Sequence, residues 1–75
     1  MKPQTLEQLE IGQMAHLRSL TAKGSIRRRL LDIGLTPDTL IECVGKSPLG
    51  DPKAYLIRGA VIVIRSEDGR NIFIN

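Results

Sequence analysis

Aromatic side chains are nearly missing from this chain: it has one tyrosine, Tyr55, one phenylalanine, Phe73, and no tryptophan. Single-strand nucleic-acid modules stack bases on aromatic platforms worth about 1–3 kcal/mol per base, and two scattered rings do not build one. Cysteine is scarcer still. Cys43 on its own excludes an internal disulfide framework, and with His16 as the one histidine there is no short run of soft or imidazole ligands for a closed metal site. No metal site and no cofactor are expected. Cys43 reads as a small core residue and His16 as a solvated one. Neither has an orienting acid tied to it by sequence, so nucleophilic catalysis has no candidate residues.

Long apolar runs are also absent. The longest, Ala60–Ile64, falls far short of the roughly 20 residues of a membrane-spanning helix, so direct insertion is not expected and any membrane role must come through a partner. The start of the chain lacks the charged stretch followed by an apolar segment that marks a secretory signal, and the expected location is cytoplasmic. Seventy-five residues fit one domain, 1–75, which buries only about 60–65% of its unfolded surface and has no room for a large catalytic cleft as well. "VGKSPLG" tempts a phosphate-loop reading at Gly45, Lys46 and Ser47. The motif's first glycine would stand where Leu40 does, and Pro48 and Leu49 follow instead of a helix.

What is present is a concentrated positive patch. The net charge is +3, yet Lys23, Arg27, Arg28 and Arg29 crowd into a stretch without any acid; with those four set aside, seven bases face eight acids. The basic character is therefore local, and overall pI says little about partners.

The rest of the chain alternates short apolar stretches with turn residues, without repeats or linkers. Residues 5–12, "TLEQLEIG", read as a capped turn leading to a tight bend. Residues 13–20 read as a strand with Ala15 and Leu17 inward. Ser25 is placed to accept from free N–H groups at a helix start. Ile26, Leu30 and Ile33 recur at i, i+4 and i+7, and Gly34 suits the left-handed residue that ends a helix, with Leu35 packing back over it. This predicts a helix at about 25–33, too short to persist without docking. Pro37 and Asp38 make a turn, and 39–46 is apolar enough for a strand with both faces partly covered. "SPLGDP" predicts a stiff loop with Gly50 at positive φ and Leu49 pushed outward. Residues 54–58 and 59–65 read as strands. Asp68-Gly69, between "VIVIRS" and "NIFIN", has the composition of a two-residue hairpin turn. So many short strands around one helix predict a mainly β fold, a small sheet curled into a partly open barrel.

On the helix Arg28 lies opposite the apolar face with Arg27 and Arg29 on its two flanks, and Leu31 falls between Arg27 and Arg28, where the helix's own packing buries it poorly. Positive charge near a helix N-terminus opposes the macrodipole, so the cluster does not stabilise the helix. Two readings stand: a solvated face with Arg28 paired to Asp32, or a surface that serves a partner.

"GSIRRRLLDIGLTPDTLIECVGKSPLGDPKAYLIRG", with "LEIGQMAHL" before it, "PLGDP" at 48–52 and Ile64-Arg65 after it, resembles the FeoA family, small proteins of bacterial ferrous-iron uptake. The resemblance covers nearly the whole chain. It implies an SH3-like, partly open barrel of five to six short antiparallel strands with one inserted helix, no enzymatic activity, and a supporting role toward FeoB, a membrane permease with a cytosolic GTP-binding domain. It would hold the protein at the inner face of the membrane through that partner. A similar domain ends the diphtheria-toxin-repressor type of metal-responsive regulators, which keeps a small regulatory or nucleic-acid-binding barrel module as the alternative. "SEDGRN" departs from the family, whose members carry an alanine-containing helical turn there, and leaves a hairpin or a short 3₁₀ turn open at 66–70. Together these lines assign the docking surface to Arg27, Arg28 and Leu31 with Leu49, Gly50 and Asp51. The open edges of such a barrel also leave weak self-association available.

Overall fold

The computed structural model describes residues 3–21 and 23–75 of the expected single domain. A 3₁₀ turn (Leu6–Gln8) leads into strand β1 (Met14–Leu20), helix α1 (Gly24–Asp32), strands β2 (Leu40–Lys46), β3 (Lys53–Ile57) and β4 (Ala60–Ile64), a single helical turn α2 (Ser66–Gly69), and strand β5 (Ile72–Ile74). The five strands form one antiparallel sheet in the order β4-β3-β2-β1-β5. It curls because β1 serves two neighbours. Residues 14–16 pair with β2 and residues 17–20 with β5, and the β1-β5 register shifts between Leu17 and Ser19, just past the change of partner.

Alternation along the strands sends one set of side chains into a single core: Ala15 and Leu17 from β1, Ile41 and Cys43 from β2, Tyr55 and Ile57 from β3, Ile64 from β4, Ile72 and Ile74 from β5. Leu6 and Leu9 close one end, and Leu30 and Leu35 enter from α1 and its exit. The Tyr55 hydroxyl donates to the Leu6 carbonyl at 3.1 Å, which satisfies a polar atom buried among aliphatics.

Helix α1 occupies the predicted stretch, one residue earlier. Leu30 is buried, with Ile26 and Ile33 packed against the core. Ser25 is not its cap: the helix begins at Gly24, which takes φ +69, and the capping position, Lys23, makes no side-chain bond. The far end is well satisfied. Gly34 at φ +94 lets its own N–H reach the Leu31 carbonyl (3.0 Å) and that of Leu35 reach Leu30 (3.1 Å), a Schellman closure with Leu35 folded back into the core.

Two turns differ from the sequence-based expectation. Strands β3 and β4 meet at Arg58-Gly59, with φ of 50° and 82°, a two-residue turn of the mirror-image type that matches strand twist. Arginine tolerates this conformation because its side chain is held, Nε donating to the Gly34 carbonyl at 2.8 Å and NH2 to Thr36 Oγ1 at 3.3 Å. A cation there also complements the helix C-terminus. Asp68-Gly69, in contrast, is no hairpin turn. It lies in the helical turn α2, and β5 continues to β1, not back along β4. Gly69 serves close approach: a Cβ on it would stand 3.2 Å from the Glu7 backbone nitrogen.

Gly34→Ala should destabilise by about 2 kcal/mol or more, through left-handed backbone strain and collision with Arg58, whose Cδ would lie 2.6 Å from the new Cβ. Urea unfolding of Gly34→Ala with and without Arg58→Ala checks it; on the Arg58→Ala background the added cost should be smaller. Burial raises the Tyr55 phenol above the ordinary tyrosine range, with nearby Cys43 adding to the shift. The folded state then keeps the proton more tightly than the unfolded one, so this contribution to stability is full below pH ~10 and is lost as pH rises beyond it. Tyr55→Phe should cost about 1 kcal/mol at neutral pH and flatten that alkaline decline in a pH series of urea melts.

Candidate functional site

The α1 patch is exposed as its helical spacing requires. Arg27, Arg28 and Leu31, with Gly24 and Asp32, surround a shallow hollow of about 300 Å³, and Leu31 is 40% exposed there. Arg27 reaches back with NH1 to the Leu20 carbonyl at 3.3 Å, tying the helix to the end of β1. Arg28 and Asp32 do not pair. Among the described residues the ion pair recorded is Lys46 with Glu10 at 3.9 Å, on the opposite stretch of chain.

The loop between β2 and β3 is built as expected around Gly50, at φ +87, and turns Leu49 outward to 94% exposure. Its stiffness comes from Ser47: the hydroxyl donates to the Asp51 carbonyl (2.7 Å) and the N–H to the Pro52 carbonyl (3.0 Å). The Asp51 carboxylate, though on an exposed residue, is engaged by the chain itself. Its Oδ1 accepts from the Ser66 N–H at 2.8 Å and its Oδ2 from the Ser66 hydroxyl at 3.1 Å, so a loop residue caps the first turn of α2. The three helix residues thus share one hollow, and Leu49, Gly50 and Asp51 take no part in lining it. Loop and helix meet elsewhere, across a groove of about 180 Å³ with Pro52 near Ile26, Arg29 and Leu30 and with residues 62–65 and Asp68 as the other wall.

The larger feature was not among the expected sites. The outer face of the sheet is apolar: Met14 (60% exposed), Leu40 (49%), Val44, Leu56, Val61 (62%) and Val63 (54%) all point away from the core. Met14, Glu42, Leu56 and Val61 form one row across four strands, and Ala54 and Val63 pair in the next. A hollow of about 430 Å³ opens on this face between Met14, Leu40, Leu56 and Arg58. Strand β2 therefore buries one face only, where partial cover on both was expected. The signal lies in "AVIVI" and "LIECV": strands apolar at odd and even positions alike, in a chain too short for a second layer.

Among the described residues no group of three or more His, Cys, Asp or Glu side chains stands close enough to hold a metal ion. Among the described residues no helix is long and apolar enough to cross a membrane.

The FeoA domain family model matches residues 4–75. The chain belongs to the FeoA family. The FeoA protein from Chlorobium tepidum is 30% identical, with a TM-score of 0.89 over 95% of this chain and 68% of that one. Zinc-complexed FeoA from Stenotrophomonas maltophilia, described as a prokaryotic SH3 domain protein, is 22% identical with a TM-score of 0.80, covering 97% of this chain and 91% of that one. A manganese-dependent transcriptional repressor shares the fold at 16% identity, with a TM-score of 0.85 over all of this chain and 42% of its own length. No curated protein sequence matches the chain. The five-stranded antiparallel sheet with its inserted helix is thus the SH3-like architecture of FeoA.

Removing the α2 cap should matter to folding. Asp51→Ala leaves two Ser66 donors without their acceptor and should destabilise this FeoA domain by about 1–2 kcal/mol in urea, with Asp51→Asn costing less.

Proposed function

We propose that this FeoA chain is a non-enzymatic, cytoplasmic accessory protein of bacterial ferrous-iron uptake that docks on the cytosolic GTP-binding part of a FeoB-type permease and modulates it. Membership of the family supports the setting, and the S. maltophilia relative is itself named as a candidate ferrous iron transport activating factor. The observation that carries the reading is surface without internal use. Arg28 and Leu31 on α1 and the apolar outer face of the sheet remain exposed, and Arg28 makes no ion pair among the described residues, which is the condition for a docking surface that meets acidic and apolar groups on another protein. A stiff loop presenting Leu49 reduces the ordering entropy that association must overcome.

The regulatory or nucleic-acid alternative gains nothing from the aromatic residues. Tyr55 is in the core, and Phe73 is half-buried beneath Arg18, whose guanidinium lies 5.8 Å from the ring centroid. The resemblance to the manganese-dependent repressor concerns the fold.

The test is binding of the purified cytosolic domain of the same organism's permease. The double variant Arg27→Glu, Arg28→Glu should weaken binding by about tenfold, with stronger salt dependence in the wild type, and lower the melting temperature by no more than the loss of the one exposed Arg27–Leu20 bond. Absence of wild-type binding overturns the reading; a large fall in melting temperature would make the two arginines structural.

A further inference from the structure

Strand β4 lies at the edge of the sheet, and the phase of its pairing is set by the Arg58-Gly59 turn. Ile57 and Ala60 close a two-residue hairpin as a hydrogen-bonded pair. Such pairs recur at every second position, so Tyr55 with Ile62 and Lys53 with Ile64 exchange bonds, and Val61 and Val63 point their N–H and C=O groups away from β3. No backbone bond from either valine to another loop or turn is recorded among the described residues. The other edge of the sheet is covered: Ile74 donates to the Gln4 carbonyl at 3.0 Å and Thr5 bridges Phe73. Edge strands are normally blunted by charge, proline or a bulge, whereas Ala60–Ile64 carries no charge and no proline and pairs with β3 in unbroken register.

Beside this edge runs the groove walled by α1. Arg29 and Arg65 line it, and neither makes an ion pair or side-chain hydrogen bond among the described residues. Asp68 is the one acid on its walls, so a positive charge remains uncompensated. We propose that β4 is a strand-addition site for an extended acidic segment of a partner protein: its main chain pairs with Val61 and Val63, and alternate acidic side chains face Arg29 and Arg65. The inference deepens the docking reading and rests on it only in taking the partner to be a protein. A second copy of this chain is disfavoured as the occupant, because its own β4 arrives flanked by Arg58 and Arg65 against the same two arginines, on molecules that each carry net charge +3.

The test uses the full chain, isotope-labelled for NMR, and two capped octapeptides, one alternating glutamate and valine and one alternating lysine and valine. The glutamate peptide should bind saturably, shift the Val61 and Val63 amides and slow their hydrogen exchange, with the lysine peptide weaker by about tenfold or more. Val63→Pro removes an outward donor without touching the β3 ladder and should weaken the glutamate peptide by about tenfold, as should Arg29→Glu, which changes an exposed helix position. Equal binding of the two peptides, shifts confined to the α1 hollow or the outer face, or no binding at millimolar peptide overturns the inference. Val63→Pro binding the permease's cytosolic domain as tightly as wild type overturns it as well and leaves the docking reading standing. If the permease domain binds neither chain the docking reading fails, and the peptide measurements still decide the inference.

Discussion

A chain of this length can close only one layer of side chains against water, and the rest of the structure follows from that limit. Leu17, Ile41, Tyr55, Ile57, Ile72 and Ile74 fill the inside of the curled sheet, and the helix adds little beyond Leu30 and its flanking isoleucines. Every second residue of the same strands then has to face outward. In most small sheets those positions are polar; here many are valine, leucine and methionine. The exposed apolar face reflects how this FeoA sequence allots its side chains, because a core of one layer has no second sheet to set against it.

The loops around that core are held by polar side chains from one short segment. Asp51 caps α2; Lys53 donates from Nζ to the carbonyls of Glu7 and Leu9, both at 2.8 Å; Tyr55 donates to Leu6; Arg58 donates to Gly34. Each contact spans a large sequence separation and ends on a backbone group of a turn or helix end, the Leu6 and Gly34 carbonyls accepting also from the Leu9 and Thr36 N–H groups. Residues 51–58 therefore join the N-terminal turn, the exit of α1 and the start of α2, a role that disulfides or a metal fill in other domains of this size.

Much of the architecture was legible in the sequence. Periodicity placed α1 within one residue, Gly34-Leu35 marked its end, alternation put Ala15 and Leu17 inside, and the composition of "SPLGDP" foretold an outward Leu49 and a left-handed Gly50. These features rest on local rules of spacing and backbone freedom. The ones that escaped depend on distant partners. Arg58 at positive φ contradicts local preference and is stabilised by the helix end it grips. Gly69 looked like a turn residue because composition cannot distinguish a glycine needed for its dihedrals from one needed for close contact with Glu7. Arg27, Arg28 and Leu31 on α1 could be read as exposed, but not the bonding of the Asp51 carboxylate to Ser66, nor the outer face formed by alignment of four strands.

The grip of Arg58 on the helix exit has a bearing on how disturbance would spread. The β3-β4 turn, at the end of the exposed edge strand, and the segment that leaves α1 at Gly34 and Thr36 share one guanidinium. A load placed along β4 would reach the arginine-bearing helix through that guanidinium as well as through the hydrophobic interior, where Leu30 packs. The polar clamp at Gly34 thus adds a second tie between the edge hairpin and the helix exit.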